Sequence, residues 1–436
     1  MGKRKSAPSA QERRLAVYMD GLAQAAGHAD RQEPLKSYCK GLLLPGERKS
    51  VEPMAARLAP EDVGRMHQSL HHLVAESPWD DKAMLKQVRA QVIPPLTKRG
   101  PVVAWIIDDT GFPKKGKHSV GVGHQYCGQV GKKDNCQVAV SLSVSTAQGS
   151  VPVAWRLYLP KDWAEDSNRR KQAGVPEAVT FQTKPKLALE QIQHAVAEGI
   201  PPGVVLADAG YGVDSHLRAG IRQAGLDYIV GLTSSIQVWK PGEPIPPAKK
   251  KRGRRPRLAP PSQPEPSSLS VKELAMSLPS RAWKKVQWRQ GSDSVLQSRF
   301  AAVRVRANYS EPDQGPSEEW LLIEWPSGEA EPTKYWFSNL PANVSLKKLV
   351  RLTKHRWIIE RDYQELKQEL GLGHYEGRGW RGFHHHATLC IAAYGFLVVE
   401  RSLFFSTTVQ IPIRLSAAER PTSYRPRGAP ASSRAA

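Results

Sequence analysis

Two acidic residues of this chain directly follow apolar runs, and a third lies on a charged amphipathic segment. Asp108, with Asp109 beside it, follows VVAWII, and Asp208 follows VVLA. Such runs are typical of buried strands, and parallel strands bring their carboxyl ends to one edge of a sheet. The third acid, Glu360, lies in HRWIIERDYQELKQEL. We therefore expect these carboxylates to converge, the alternative for any single aspartate being a loop cap.

A cluster of carboxylates requires cations, because the negative charges repel one another. Hard oxygen ligands without nearby cysteine favour Mg²⁺ or Mn²⁺. Two such ions, about 4 Å apart, activate an attacking oxygen and stabilise the leaving oxygen of a phosphodiester. The sequence therefore predicts two Mg²⁺ or Mn²⁺ ions held by Asp108, Asp208 and Glu360.

Helical spacing separates Glu360 from the other glutamates of its segment. We predict one helix over about 345–370, in which each residue advances by about 100°. A polar stripe of this helix contains Arg356, Glu360, Tyr363 and Lys367, and an apolar stripe contains Leu352, Ile359, Leu366 and Leu370. Glu365 and Glu369 point away from the polar stripe, and we expect Glu365 to be exposed. Glu360 is thus the candidate catalytic acid, an ion-paired helix face being the alternative role of the stripe.

The charge of the chain favours a polyanionic partner. Lysine and arginine number 63 against 41 acids, a formal net charge of +22. This excess is typical of nucleic-acid binding, a merely basic soluble protein being the alternative. No apolar run approaches the roughly 20 residues that span a bilayer, and the basic N-terminus lacks the apolar segment of a signal peptide. The four cysteines form no CxxC pair, which fits reduced thiols in a cytoplasmic protein.

The order of elements predicts an α/β fold. Helical patterns fill the chain up to residue 97, and the strand-like runs VVAWIID, CQVAVSLSVST and VPVAWRLYL follow. A helix at about 184–198, the run VVLADAGYG, a second helix and the strand DYIVGLT come next. Three strands followed by alternating helices and strands indicate an RNase H-like core, a mixed five-stranded sheet with flanking helices. Three later strand-like runs, SRFAAVRVRA, WLLIEW and KYWFSNL, indicate a β-rich insertion into that core.

These elements predict five parts of the chain. They are a small all-helical domain at 1–97, the first part of the core at 98–236, a basic Pro-rich linker with the β-rich insertion at 237–342, the second part of the core with the Glu helix at 343–418, and a disordered tail at 419–436. Seven of the nine residues in 249–257 are lysine or arginine. That stretch is either a solvated linker or an arm that contacts nucleic acid.

Two other motifs suggest chemistry that the sequence does not support. GFPKKGKH nearly matches a phosphate-binding loop, but His118 replaces the hydroxyl residue and the glycine-punctuated continuation does not favour a helix. We therefore reject nucleotide binding there and keep Lys114, Lys115 and Lys117 as candidate DNA-phosphate contacts. The run HHH at 384–386 is not expected to bind one metal ion, because adjacent helical residues point in different directions.

The helix motif resembles that of DDE-superfamily transposases of bacterial insertion sequences, in the branch with a Tyr-Arg-Glu-Lys signature. The signature is Y-x2-R-x3-E-x6-K, and Arg356, Glu360 and Lys367 match its last three members. Thr353 stands where the signature has tyrosine. Other stretches that resemble this group include GLLLPGERKSVEPMA, GFPKKGKHSVGVGHQY and RLYLPKDW.

The same resemblance assigns the two aspartates. The first acid of these transposases follows a strand as D-x-T, and DDT fits with Asp108 as the catalyst and Asp109 as the alternate first acid. LADAGYG supplies Asp208 as the second. The family also carries a β-rich insertion before the Glu helix, which accounts for the long gap between Asp208 and Glu360.

The resemblance implies a DNA transposase that acts near the nucleoid of a bacterial cell. It would cut transposon ends by metal-dependent hydrolysis and join the 3′-OH ends to target DNA, as a homodimer on DNA. Arg356 and Lys367 would hold DNA phosphates, and the helical domain would recognise the ends. Trp336 or Trp320 of the insertion is a candidate to stack on an extruded base, core packing being the alternative role. The competing functions are an RNase H-like nuclease without strand transfer and a non-catalytic DNA-binding regulator.

Overall fold

In the computed structural model, the described residues are 8–240, 268–290, 295–308 and 318–404. The basic stretch at 249–257 and the predicted tail at 419–436 lie outside them. The helices are α1 (Ala10–Gln24), α2 (Gln32–Leu43), α3 (Val51–Leu58), α4 (Val63–His71), α5 (Asp81–Thr97), α6 (Lys161–Glu165), α7 (Ser167–Ala173), α8 (Lys184–Ala197), α9 (Ala209–Gly212), α10 (Ser215–Gln223), α11 (Val271–Met276), α12 (Leu346–His355), α13 (Ile358–Gln368) and α14 (Trp380–Phe404). The strands are β1 (Ala104–Pro113), β2 (Gly123–Cys127), β3 (Lys132–Ser145), β4 (Ser150–Leu157), β5 (Val204–Ala207), β6 (Tyr228–Leu232), β7 (Gln237–Trp239), β8 (Leu269–Ser270), β9 (Lys284–Gln290), β10 (Val295–Ala307), β11 (Glu318–Trp325) and β12 (Lys334–Ser338).

The first strands form the mixed five-stranded sheet that the sequence predicts. Its spatial order is β4, β3, β1, β5 and β6. β1 and β4 each pair antiparallel with β3, whereas β1, β5 and β6 run parallel. Parallel neighbours need a crossover connection, and α8 and α10 supply the two crossovers. The α/β fold with an RNase H-like core is thus confirmed.

The insertion continues this sheet instead of forming a separate layer. β12 pairs antiparallel with β6, and β11, β10, β7 and β8 follow outward, so that the described strands make one sheet of twelve. An unpaired β6 would present a row of free backbone donors and acceptors at the edge of the core, and β12 satisfies them. The sequence showed the strands of the insertion but not the strand that they join.

The N-terminal helices pack around the long C-terminal helix α14. Arg14 forms a two-point ion pair with Glu400 at 2.6 and 2.7 Å, and the Tyr18 hydroxyl donates to the Ala392 carbonyl at 2.8 Å. Buried side chains of α1, α2 and α5 belong to the same hydrophobic cluster as the sheet. α14 is long and apolar enough to cross a membrane by these two criteria, but 89% of its most apolar window is buried inside the protein. A core helix meets the same criteria.

Two predicted boundaries near the acids are wrong. β1 does not end at Asp108 but continues to Pro113, because β3 is long enough to pair with it along its whole length. The segment 345–370 is not one continuous helix, since α12 ends at His355 and α13 begins at Ile358. Between them the backbone makes tighter hydrogen bonds, from Ile359 N–H to Arg356 O and from Glu360 N–H to Trp357 O.

Candidate active site

Asp108 and Asp208 lie where the parallel pairing of the sheet ends. The last pair of β1 with β5 is Ile106 with Leu206, so two further residues along each strand reach the two aspartates. The Asp208 carboxylate accepts a hydrogen bond from Gly210 N–H at 2.9 Å and so caps α9. Both acids therefore lie at the same edge of the sheet, as the sequence predicts.

The lack of a side chain at Gly231 allows β6 to pack closely against the backbone that follows Asp208. A Cβ at Gly231 of β6 would lie 2.7 Å from the Ala209 nitrogen and 2.9 Å from the Asp208 carbonyl carbon. Any other residue at position 231 would therefore push the turn after β5 outward. The strand DYIVGLT thus carries a glycine where the backbone of the second aspartate packs directly against β6.

One guanidinium connects two of the three predicted acids. The Arg356 Nη1 lies 2.7 Å from the Asp108 Oδ2, and its Nη2 lies 3.7 Å from the Glu360 Oε1. Asp108 is largely buried, with 16% of its side chain exposed, whereas Glu360 is 71% exposed. The break between α12 and α13 places Arg356 at the end of one helix and Glu360 in the first turn of the next.

Asp108 lies in surroundings that disfavour its negative charge. The pKa of its carboxyl is raised to about 7, chiefly by burial and in smaller part by the nearby charge of Asp208, while Arg356 opposes both effects. The backbone N–H of Asp109 also stabilises the carboxylate, at 2.8 Å from Oδ1. A buried acid beside a second acid is a place where a cation stabilises the protein, and Arg356 is the cation there in this conformation.

Asp109 has different partners from Asp108. Its Oδ2 accepts hydrogen bonds from Lys184 Nζ at 2.9 Å and from the Tyr211 hydroxyl at 3.2 Å. Successive residues of a strand point to opposite faces, which separates the two neighbouring carboxylates. The contacts of Lys184 and Tyr211 were not predicted, because neither residue forms a recognisable motif with an aspartate so distant in sequence.

The helix that carries Glu360 is held on the sheet by buried polar contacts. The Tyr363 hydroxyl lies 2.8 Å from the Ser141 Oγ, and Ser141 pairs with Asp108 across β1 and β3. Asp362 accepts hydrogen bonds from the hydroxyls of Ser150 and Tyr394, the latter at 2.8 Å. Burial raises the pKa of Asp362 to about 7. Tyr363 is therefore a buried residue that docks α13, not part of an exposed polar stripe.

The expectation that Glu365 is exposed is wrong. Its side chain is 14% exposed and forms ion pairs with Arg361, at 3.0 Å, and with Arg401. Arg401 lies on α14, and no local pattern indicated that α14 packs beside α13. Glu369 is exposed, as its position on the helix suggests.

The predicted cations near the site differ in what they contact. Lys367 Nζ donates to the Gly111 carbonyl at 2.8 Å and lies 3.1 Å from the Gln129 Oε1, and burial lowers its pKa to about 8. Lys114 Nζ donates to the Tyr375 carbonyl at 2.9 Å, so this lysine is not a freely projecting side chain. Lys115 and Lys117 are exposed.

Trp357 lies in the break between α12 and α13, and no sequence motif singled it out as a candidate. It is 38% exposed, and the Arg289 guanidinium of β9 lies 3.8 Å from its ring centroid. Trp336 and Trp320, the two predicted candidates for base stacking, are half-buried in the insertion strands β12 and β11. The signal for Trp357 was its place in HRWIIE, directly after the arginine of the signature.

Thr353 stands where the signature has tyrosine, and its side chain bonds only within its own helix in the described structure. The side chain is buried, and its hydroxyl donates to the Leu349 carbonyl of the same helix at 2.8 Å. This is a local contact of a helical threonine. Thr353 therefore makes no described contact with the acids.

The three consecutive histidines have three separate sets of partners. His384 Nδ1 donates to the Trp380 carbonyl, His385 lies between the carbonyls of Val74 and Trp79, and His386 Nε2 donates to the Gly371 carbonyl. All three are buried. In the described part of the chain, no three His, Cys, Asp or Glu side chains lie close enough together to hold a metal ion.

The acids fit a divalent metal ion in chemical type. Carboxylate oxygens are the ligands that Mg²⁺ and Mn²⁺ prefer, and burial raises the pKa of Asp108, so a cation beside it favours the charged form of its carboxyl. Arg356 supplies that charge in this conformation by bridging Asp108 and Glu360. Since the Glu360 side chain is largely exposed, it is free to change rotamer.

Comparison with known proteins identifies the family of this chain. The family model described as DDE superfamily endonuclease matches residues 21–295. A probable transposase for insertion sequence element IS701 from Microchaete diplosiphon is 33% identical over 172 residues, which cover 39% of this chain and 42% of that relative. The chain thus matches less than half the length of that relative. The family match spans more than half of the sequence, and the chain belongs to the DDE superfamily endonucleases.

Proposed function

We propose that this protein is the transposase of a bacterial insertion sequence, acting in the nucleoid. It cuts DNA at the ends of the element by hydrolysis and joins the resulting 3′-OH ends to target DNA. The observation that carries the proposal is the contact of Arg356 with both Asp108 and Glu360, at the sheet edge where Asp208 also lies. The similarity to a probable transposase supports it.

Asp108 is the first catalytic acid of this proposal, and Asp109 is a supporting residue. Asp108 shares a guanidinium with Glu360, whereas Asp109 is held by Lys184 and Tyr211. Asp108, Asp208 and Glu360 would hold two Mg²⁺ or Mn²⁺ ions, which when bound make an attacking oxygen more acidic and stabilise charge on the phosphate.

Arg356 changes partner during the reaction in this proposal. In the DNA-free protein its guanidinium neutralises Asp108. A planar guanidinium binds a phosphate with two parallel hydrogen bonds, so it suits the DNA phosphate next to the cleaved bond once other cations neutralise the acid. Lys367, which donates to the carbonyl of Gly111 three residues after Asp108 on β1, contributes a point charge to the DNA backbone.

The remaining assignments concern DNA recognition. Lys115 and Lys117 are exposed beyond the end of β1 and contact phosphates, and Lys114 orients the loop that carries them. The N-terminal helices up to residue 97 recognise the ends of the element, and the division of the chain into five parts stands as part of this proposal. Two copies act together, because both ends of an element must be cut and joined.

Trp357, more exposed than Trp336 or Trp320, is the better placed of the three to meet an unpaired base.

A cleavage and joining assay with the genomic ends that flank the gene tests the proposal. With Mg²⁺, wild-type protein should nick the 3′ ends, and pre-cleaved ends should be joined to a plasmid target. Hydrolysis without joined product would identify a nuclease that lacks strand transfer, an alternative that the family description also allows. Specific binding without hydrolysis would identify a non-catalytic regulator.

The variant Glu360→Gln provides the internal control. It keeps the size of the side chain and the helix, but it removes the charge that binds a metal ion. End binding should persist while cleavage and joining are lost. Unchanged transposition by this variant would remove Glu360 from the catalytic set.

A further inference from the structure

A cleft of about 680 Å³ lies between the N-terminal helices and the loop that follows α13. One wall consists of residues between Tyr38 and Ala75, and the other comes from the end of α7, the loop at 374–379 and the start of α14. The cleft does not include the acids of the candidate active site. Its charged side chains are Lys49, Lys171, Arg378 and Arg381 with the acids Glu52 and Glu376.

Two of these cations, Lys49 and Arg381, are hydrogen-bonded to backbone carbonyls of the protein. Lys49 donates to the carbonyls of Leu42, at 2.8 Å, and Leu44. Arg381 donates to the Glu76 carbonyl at 2.7 Å. These contacts hold the walls of the cleft in place. Because their acceptors are neutral carbonyls, the four cations of the lining still exceed its two acids.

The other two cations project into solvent. Lys171 and Arg378 are exposed, and neither has a carboxylate within ion-pair distance among the residues that the structure describes. Glu376, the acid nearest to Arg378 in sequence, is instead paired with Arg48. Both side chains are therefore available to bind an external anion.

The wall that carries Arg378 is held in place from two sides. Lys49 N–H donates to His374 Nδ1 at 3.0 Å, which connects the loop to the N-terminal helices. Lys114 Nζ donates to the Tyr375 carbonyl, and Val120 N–H donates to the Arg378 carbonyl at 3.0 Å, which connects it to the core. Because the backbone at Arg378 is held in place, only its side chain has to be ordered when it binds a ligand.

We propose that this cleft binds a second stretch of DNA backbone, away from the phosphodiester that is cut. Lys171 and Arg378 contact its phosphates. The inference rests on the proposed transposase function, since it assumes a DNA substrate. DNA is favoured over a small anion because the cleft is open and its two projecting cations lie on separate wall segments, an arrangement that suits consecutive phosphates of a strand.

The test compares two double variants of the full-length protein. Lys171→Ala with Arg378→Ala removes the projecting charges of the cleft. Arg281→Ala with Lys284→Ala removes the same two residue types from exposed positions of the insertion, which does not line the cleft. Binding to duplexes that carry the flanking genomic ends is measured over a range of salt concentrations.

The cleft variant should bind the duplex about tenfold or more weakly, with a salt slope smaller by about 2, because two phosphate contacts are lost. At saturating DNA its single-turnover cleavage rate should equal that of the wild type, since neither residue belongs to the acid site. Wild-type affinity and slope in the cleft variant, or an equal loss in the insertion variant, would overturn the inference.

A second arm uses inorganic phosphate as the probe. If phosphate raises the melting temperature of the wild type but not of the cleft variant while both bind DNA equally, the cleft is a small-anion site and the inference fails. Failure of the proposed function is distinguishable, because it appears as a wild-type protein that binds the ends without cutting them.

Discussion

The guanidinium of Arg356 lies 2.7 Å from the carboxylate of Asp108 and 3.7 Å from that of Glu360. Asp108 and Arg356, which are 248 positions apart in the sequence, thus form an ion pair, and Glu360 joins them through the same guanidinium. In this conformation the arginine supplies the positive charge that a metal ion would supply to Asp108.

Replacement of Arg356 should therefore have opposite effects on metal binding and on catalysis. In Arg356→Ala, DNA-free protein should bind Mn²⁺ about tenfold more tightly, or ~1.4 kcal/mol, because no guanidinium competes for Asp108. Cleavage should fall by about a hundredfold, since a phosphate contact is lost. Titration with Mn²⁺ by electron paramagnetic resonance gives the affinity, and Arg361→Ala on the same segment is the control. Weaker Mn²⁺ binding in the variant would contradict competition.

The neighbouring aspartates should differ in importance. Asp108→Asn should reduce cleavage by about a thousandfold, because it removes a charged ligand from the acid site. Asp109→Asn should reduce cleavage by about tenfold or less, and it should lower stability because Lys184 loses its partner. Single-turnover cleavage together with thermal melting separates the two effects. A larger catalytic loss in Asp109→Asn would make Asp109 the first acid.

The buried contacts of Asp362 should stabilise the position of α13. In Asp362→Ala the hydroxyls of Ser150 and Tyr394 lose their acceptor, and the free energy of unfolding should fall by about 2–3 kcal/mol. Urea denaturation measures the change, and Asp362→Asn, which keeps one acceptor, should lose less. Gln364→Ala on the exposed face of the same helix is the matched control. Equal stability of Asp362→Ala and Gln364→Ala would show that the contacts do not hold α13.

Acid should destabilise the protein through His386. Its Nε2 donates to the Gly371 carbonyl and its Nδ1 accepts from the Tyr38 hydroxyl, so the neutral imidazole is fully bonded. Burial lowers its pKa from 6.5 to about 4. The unfolded chain therefore takes up the proton first, and stability is lost as the pH falls from about 6.5 to about 4, by up to about 1.4 kcal/mol per pH unit.

Urea midpoints measured between pH 7 and pH 4.5 check this dependence. The variant His386→Gln, whatever its stability at pH 7, should show a shallower loss than the wild type across that window. Parallel curves for the two proteins would show that His386 does not titrate on unfolding.

Much of the site could be read from the sequence because its signals are local. Apolar runs that end in aspartate place Asp108 and Asp208 at one sheet edge, since the direction of parallel strands fixes where their ends meet. Helical spacing relates Arg356 to Glu360 whether or not the helix is interrupted between them, because the interruption keeps a helical backbone. The family followed from these residues and was confirmed.

The partners of these residues could not be read in the same way, because they are distant in sequence. Only folding brings Lys184 to Asp109 and Arg401 to Glu365, and the second contact buries a glutamate that helical phase alone placed in solvent. Likewise β12 pairs with β6, so the insertion extends the core sheet. The residue types and spacing of this chain determined the acids and their edge of the sheet. The tertiary structure decided which cation neutralises which acid, because that depends on side chains meeting across elements that no local pattern relates.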